Sequence, residues 1–202
     1  MASSATIHLM TSLRKRNRLN AMRMTQRTAL SLFEQRGFDE VTIGELADAV
    51  GMAASTIYRH FGTKEGVILW DEHDDDLEVV LLEALRHHRP WEAMRLASIE
   101  VLAPRYEEDL DFQLRRVRFI FSTNAMHGAA IEADYQARGE LAEAFAFALP
   151  KAHKDAADVL AAASLVAIDA ALDRWQSSNG SEPLHRLVSE SFDRLGHLAA
   201  IG

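Results

Sequence analysis

Residues 42–61 read TIGELADAVGMAASTIYRHF, and this stretch decides the fold. Thr42, followed three residues later by Glu45, fits a capping box, which marks the start of a helix. Gly51, which tolerates a positive φ, ends that helix after about two turns. A second short helix follows, from about residue 53 to residue 61. Two short helices joined by a turn that contains glycine are typical of a helix-turn-helix.

The second of these helices has an inward and an outward face. Ile57 and Phe61 are four residues apart, so both face the interior and anchor the helix. The side chains left for the outer face are Ser55, Thr56, Tyr58, Arg59 and His60. A helix in this position enters the major groove of DNA, where hydroxyl groups and cations bind phosphates, sugars and bases. The alternative is that Tyr58 and His60 are ordinary surface residues of a packed helix.

Helical periodicity dominates the rest of the chain, which has four prolines and ten glycines. We therefore predict an all-α fold with about nine helices. The first runs from about Arg18 to Arg36, and a long fourth helix, capped by Thr63, runs from Lys64 to about His87. Five more are predicted at about 91–107, 109–124, 129–149, 155–176 and 182–200, separated by Pro90, Gly128, Pro150 and residues 177–181. The predicted domains are residues 1–65, which hold an N-terminal arm and the helix-turn-helix, and residues 66–202.

Composition limits the classes of function. The 202 residues include no cysteine, which excludes disulfides, thiolate zinc sites and a cysteine nucleophile. The chain has no apolar run of about 18 residues and no signal-peptide pattern, so we expect a cytoplasmic protein that does not enter a membrane. Nucleophile elbow, phosphate-binding loop, HExxH and GxGxxG motifs are also missing, so we expect neither an enzyme nor a cofactor.

Charge is distributed unevenly along the chain. Residues 1–65 carry nine Lys and Arg against six Asp and Glu, a net of +3, whereas residues 66–202 carry thirteen against twenty-four, a net of −11. A basic head on an acidic body is expected if only the head meets phosphate. Arg14, Lys15, Arg16 and Arg18 form a basic arm just before the predicted first helix. It is either a solvated tail or an arm that follows the DNA backbone or minor groove.

The motif sits in a longer pattern. Thr28–Phe33 leads to Arg36-Gly37-Phe38, Val41-Thr42-Ile43 leads to Leu46-Ala47, and Val50-Gly51-Met52 precedes Thr56–Phe61 and Lys64-Glu65. Over about the first 70 residues, the order, types and spacings of these segments resemble the tetracycline-repressor family of transcriptional regulators.

The resemblance implies which positions contact DNA. They are Thr42, Ser55, Thr56, Tyr58, His60 and Lys64, and to them we add Ala53, Ala54 and Arg59 of the same short helix as candidate DNA-binding positions. Among them, Arg59 is the candidate for reading the edge of a guanine. The chain departs from the family at Ala53-Ala54, where relatives often carry serine and a basic residue, and at Gly62, where proline is common. The first departure removes hydrogen-bond donors, so it puts the identity of the operator in doubt.

The resemblance also implies a homodimer that pairs through its last two helices, about 155–176 and 182–200. Both helices carry an apolar stripe at helical spacing. The stripe consists of Val159, Leu160, Ala163, Val166, Ala167, Ala170 and Trp175 in the first helix, and Leu184, Leu187, Val188, Phe192, Leu195 and Leu198 in the second. The alternative is that both stripes are core packing within one chain.

Between the head and these helices we expect a cavity for a small-molecule effector. Its candidate lining is Trp70, Leu77, Leu81, Trp91, Ile99, Phe119, Met126 and Phe145. Segments Arg115–Ile120, Asn124–Met126 and Ala133–Gln136 resemble members whose body binds acyl-coenzyme-A-like molecules, which implies an apolar cavity with arginines at its mouth. The alternative is that these residues are ordinary core.

Two further interpretations concern the chain as a whole. The acidic run Asp71–Asp76, with His87-His88, resembles a set of metal ligands, but adjacent residues of a helix point in different directions, so we expect a solvated acidic face and no metal. The chain is either a ligand-responsive regulator or a helical protein–protein interaction module without specific DNA binding. Salt-dependent binding to duplex DNA separates these two functions.

Overall fold

The computed structural model describes the backbone of residues 4–201 and the side chains of residues 13–74, 76–151 and 153–197. In these residues the regular structure is helical and contains no strand, which confirms the all-α prediction. The chain divides into two compact units, residues 1–72 and residues 73–202. Among the helices described, none is long and apolar enough to cross a bilayer.

The first unit consists of four helices: α1 (Ser4–Arg36), α2 (Ile43–Val50), α3 (Ala54–Phe61) and α4 (Lys64–Leu69). Leu30 and Phe33 of α1 form its core together with Leu46, Ile57 and Ile68, one from each of the other helices, and none of the five is more than 2% exposed. Full burial of such a side chain contributes about 1.5–3 kcal/mol. Helices α2 and α4 therefore pack on the second half of α1, and α3 packs on α2 and α4.

The first helix is longer than the sequence interpretation predicted. It spans Ser4–Arg36 rather than 18–36, so Arg14, Lys15 and Arg16 lie inside a helix and not in an arm before it. No glycine or proline occurs between residues 4 and 36, so no residue of this stretch breaks the helix. It ends at Gly37, whose φ of 93° takes the chain out of the helical conformation.

The predicted fourth helix, residues 64–87, is wrong: α4 ends at Leu69, and α5 (Asp74–Ala84) is a separate helix. A side chain of α1 explains the break. The Nε2 group of buried Gln26 donates hydrogen bonds to the carbonyl oxygens of Ile68, at 3.1 Å, and of Trp70, at 2.7 Å. These bonds satisfy carbonyls at the end of α4, and Trp70 takes an extended conformation with ψ 127°.

The second unit begins with α5 and continues through six more helices. They are α6 (Pro90–Ala97), α7 (Ala103–Glu108), α8 (Leu110–Ser122), α9 (Asn124–Ala148), α10 (Ala157–Ser177) and α11 (Leu184–Ile201). Helix α10 packs against both α9 and α11. Its Trp175 is fully buried in the core of this unit, with its ring edge-on to Tyr106 at 5.7 Å between centroids.

Two predicted boundaries in this unit need correction. The helix predicted at 91–107 is interrupted by a π-helical turn, Ser98–Leu102, because Pro104 has no N–H to donate to the carbonyl of Glu100 and its ring crowds that carbonyl. Gly128, predicted to separate helices, lies inside α9. The break falls instead at Thr123, which is extended with φ −105° and ψ 115°. A short 3₁₀ segment, Lys151–Ala156, precedes α10.

Candidate nucleic-acid interface

The turn between α2 and α3 is built from local hydrogen bonds. The Thr42 hydroxyl accepts from the Glu45 amide at 3.2 Å, and the Glu45 carboxylate accepts from the Thr42 amide at 2.8 Å, which confirms the capping box. Gly51 caps the end of α2 with φ 66°, and Met52 donates to the carbonyl of Ala47 at 3.0 Å. These bonds fix the direction in which the chain enters α3.

Helix α3 presents the outward face that the sequence predicts. Ile57 is fully buried and Phe61 is 8% exposed, so the helix is held to the core by two side chains. The remaining side chains point away from the core to different degrees: Ser55, Tyr58 and Arg59 are exposed, whereas Thr56 and His60 are half-buried. Tyr58 leaves 52% of its surface exposed, which is much for an aromatic residue. Ala53, the N-cap residue, and Ala54 contribute no polar side chain at the start of the helix.

Arg59 and His60 are the two basic residues of α3. The Arg59 Nη2 lies 3.4 Å from the Thr56 hydroxyl oxygen, a weak contact that leaves most of its donors available. Partial burial lowers the pKa of His60, and the charges of Arg59 and Arg18 lower it further. His60 is therefore mainly neutral at pH 7 until an anion approaches it.

Lys64, a predicted DNA contact, is engaged within the first unit. Its ammonium group donates to the carbonyl oxygen of Phe38. The same Nζ atom lies 4.1 Å from the ring centroid of Phe38 and 5.4 Å from that of Phe33, which are cation–π distances. Lys64 therefore joins the start of α4 to the end of α1, and a contact with phosphate competes with this arrangement.

Helix α1 supplies a basic surface that the sequence interpretation placed in an arm. Arg14, Lys15, Arg16 and Arg18 are all exposed along one continuous helix. The charge of Arg18 reaches His60, so the basic surface continues from α1 onto α3. The sequence analysis missed this continuity. The signal that reveals it is the lack of any glycine or proline between residues 4 and 36.

The candidate effector residues lie in both units. Trp70 belongs to the first unit, where its ring meets Phe61 edge-on at 5.8 Å between centroids. The other seven belong to the second unit: Leu81, Met126 and Phe145 are buried, and Leu77, Trp91, Ile99 and Phe119 are half-buried. Across the described residues, no three His, Asp or Glu side chains converge as metal ligands do.

The last two helices use their apolar stripes differently from each other. In α11, Leu184, Leu187, Val188 and Phe192 are at most 1% exposed and pack inside the single chain. The apolar side chains that α10 leaves at the surface are Val159, 65% exposed, and Val166, 57% exposed. Leu198 lies outside the described side chains. The buried part of the α11 stripe is therefore intrachain core, and among the described side chains of these two helices the large exposed apolar ones belong to α10.

Comparisons with known proteins agree with this architecture. Residues 27–69 match the family described as bacterial regulatory proteins, tetR family, and residues 88–199 match the MftR C-terminal domain. The HTH-type transcriptional repressor BdcR of Escherichia coli (strain K12) is 30% identical over 80 residues, which cover 39% of this chain and 41% of that protein.

Matches among solved structures include two transcriptional regulators. Thermus thermophilus FadR, a TetR family repressor in complex with lauroyl-CoA, is 22% identical over 85% of this chain and 91% of that chain, with a TM-score of 0.48. A transcriptional regulator from Aquifex aeolicus VF5 is 17% identical over 88% and 99%, with a TM-score of 0.46. Because one family match lies on each unit, and the second alone covers more than half of the 202 residues, the chain belongs to the TetR family of bacterial regulatory proteins.

Proposed function

We propose that this protein is a ligand-responsive repressor that binds a near-palindromic operator as a homodimer and leaves it when a small apolar or acyl-coenzyme-A-like molecule binds. The observation that carries the proposal is the outward face of α3. Ile57 and Phe61 are buried in the core, which leaves the hydroxyls of Ser55 and Thr56 and the guanidinium of Arg59 for DNA. Such a helix meets base edges through its N-terminal residues.

The contacts divide into reading and holding. Arg59 makes no ion pair with the side chains described, and a guanidinium in this position is suited to the O6 and N7 atoms of guanine. We assign Thr42, Ser55, Thr56, Tyr58 and His60 to phosphates and sugars, and we expect Ala53 and Ala54 to lie close to the DNA surface. Lys64 reaches phosphate only by giving up the Phe38 carbonyl. The basic side chains of α1 extend the contact along the backbone.

The proposed dimer pairs helices α10 and α11 of each protomer into a four-helix bundle. On α10, Val159 and Val166 are seven residues apart and exposed, so they lie on one side of the helix two turns apart. Ala163 and Ala170 stand on the same stripe, and their small side chains let a second helix come close. Two α3 helices then meet successive major grooves, about 34–36 Å apart.

The effector part of the proposal concerns the eight candidate lining residues. Leu81, Met126 and Phe145 are packed, so a ligand must displace or reorient them when it enters the second unit. Trp70 offers a route to the recognition helix, because a movement of its ring disturbs Phe61 of α3. A tenfold loss of DNA affinity requires about 1.4 kcal/mol of coupling, and DNA must weaken the ligand by the same factor.

Operator binding is tested by fluorescence anisotropy. The probe is the promoter fragment that the purified protein selects from fragments of its own genomic DNA. We expect Arg59→Ala to cost about 1–3 kcal/mol and to relax the preference at one base position. Arg105→Ala, at an exposed arginine of α7 paired with Glu108, serves as the control and should leave binding unchanged. Equal affinity for all sequences, or a uniform loss on Arg59→Ala, contradicts base reading by this residue.

Calorimetric titration of decanoyl-coenzyme A, with and without operator, tests the effector part. We expect the ligand to bind more weakly when operator is present, because the two ligands favour different states. A complete lack of binding contradicts the acyl-coenzyme-A proposal. Binding with the same affinity in both titrations contradicts the coupling but leaves the DNA proposal standing.

A further inference from the structure

A groove of about 900 Å³ opens in the second unit, where the segment between α5 and α6 meets the segment between α9 and α10. Its apolar lining comes from both segments, from the first turn of α6 and from α10, and includes Leu85, Pro90, Trp91, Leu149 and Leu160. Pro90 is buried and Trp91 is half-buried, with its ring 4.6 Å from that of Phe192 between centroids. The groove thus has a packed apolar side and is large enough for a small molecule.

The charges around this groove have the opposite sign to those of the unit that carries it. Residues 73–202 contain thirteen Lys and Arg against twenty-two Asp and Glu, a net of −9. The groove, however, is lined by Arg86, Arg89 and three histidines, and by a single acidic residue, Glu92. A local excess of positive charge in an acidic unit selects for negatively charged ligands.

Ion pairs already occupy most of these charges. The Arg95 guanidinium donates to both carboxylate oxygens of Glu92, at 3.0 and 2.5 Å, and holds the pKa of that carboxyl below its usual range. Arg86 pairs with Glu83 at 3.0 Å. Arg89 has no ion-pair partner among the side chains that the structure describes. One guanidinium is therefore available in the groove, whose lining also includes His88 and His153.

The start of α6 adds to this positive character. Arg89 is the N-cap residue, Pro90 opens the helix, and no side chain caps the first turn. The first intrahelical bond is donated by Ala93 to the carbonyl of Arg89, at 2.8 Å, so the amides of Trp91 and Glu92 precede the helical ladder. The positive end of the helix dipole thus lies beside the available guanidinium.

We propose that this groove binds a small amphipathic carboxylate, with its apolar part on Trp91 and Leu149 and its carboxylate at Arg89 and the first turn of α6. One available guanidinium matches one negative charge, which favours a carboxylate over a phosphate dianion. The inference goes beyond the proposed function, because only Trp91 of the eight candidate effector residues lines this groove.

Calorimetry on the DNA-free protein tests the groove with three probes: decanoate, 1-decanol and acetate. Decanoate has both the chain and the charge, whereas 1-decanol lacks the charge and acetate lacks the chain. We expect decanoate to bind at least about tenfold more tightly than either of the other two, since each lacks one half of the recognition. Similar affinities for decanoate and 1-decanol overturn the proposal, because the groove is then merely apolar.

Two matched variants locate the charge. Arg89→Gln should weaken decanoate about fivefold or more and leave 1-decanol unchanged, whereas Arg105→Gln, on the exposed surface of α7, should change neither. Equal effects of the two variants overturn the assignment. If Arg89→Gln alone changes the sedimentation coefficient of the ligand-free protein, the groove is an interface with a second copy, which also overturns it. Because no DNA is present, failure here leaves operator binding intact, and failure of operator release leaves the groove intact.

Discussion

Gly66 stands at the closest approach in the first unit, so Gly66→Ala is a sharp test of how α3 and α4 are joined. A Cβ at this position would lie 2.0 Å from the carbonyl oxygen of Phe61 and 3.2 Å from its carbonyl carbon. Ordinary carbon–oxygen contacts are about 3.3–3.6 Å. The end of α3 and the first turn of α4 must therefore separate by more than about 1 Å, and both partners are backbone, which has no rotamer with which to avoid the contact.

The expected magnitude follows from two opposing effects. Alanine gains about 1 kcal/mol over glycine in a helix, but overpacking costs about 1–3 kcal/mol, and backbone contacts belong at the upper end of that range. We expect a net loss of about 1–2 kcal/mol in the free energy of unfolding, measured by urea denaturation followed by circular dichroism. Gly44→Ala in α2 is the control, because its Cβ meets only the Thr42 hydroxyl at 3.7 Å and should not destabilise the protein. Equal stability of the two variants would refute the reasoning.

Three further predictions concern protonation. Burial and the neighbouring Asp134 raise the pKa of Asp169 to about 6, and burial raises the pKa of Asp134. The stability that this pair contributes at low pH is therefore lost as pH rises through about 6. Asp134→Asn should for this reason raise the melting temperature more at pH 7.5 than at pH 4.5. The Thr42 amide holds the pKa of Glu45 at about 2, so Glu45→Gln should destabilise the protein at pH 7, and the difference should vanish as pH falls from about 4.5 to 2. Burial keeps His60 neutral, so contact with phosphate should take up a proton, and DNA affinity should rise from pH 8 to pH 6 in the wild type but not in His60→Gln.

The features predicted correctly from the sequence are those formed by residues close together in the chain. The capping box at Thr42 and Glu45 and the positive φ of Gly51 depend on residues a few positions apart, so the printed sequence contains the whole interaction. The break after α4 depends on Gln26, which lies more than forty positions earlier. Its carbonyl partners are brought to it only when α1 and α4 pack, so no window of sequence predicts where the helix ends.

The apolar spacing of α11 predicts which face of the helix is buried but not what covers it. The spacing of Leu184, Leu187, Val188 and Phe192 correctly identifies the buried face of this helix, since all four are at most 1% exposed. The spacing does not identify the partner that buries these residues. A helix of the same chain and a helix of a second copy would each remove the same apolar surface from water, so both require the same pattern. The exposure of Val166 becomes visible only after the intrachain partners of α10 are in place.

The residues that hold the first unit together overlap only partly with those proposed to contact DNA. The Thr42 hydroxyl caps α2 and the Lys64 ammonium ties α4 to Phe38, so each already has a partner in the absence of DNA. Tyr58 and Arg59 have no comparable structural role, since their side chains are exposed on a helix that other residues hold in place. A loss of DNA binding in variants of Thr42 or Lys64 therefore mixes a lost contact with a weakened fold. Variants of Tyr58 and Arg59 report on the proposed contact alone, which makes Arg59 the decisive position for base reading and Tyr58 a clean test of contact with the DNA backbone.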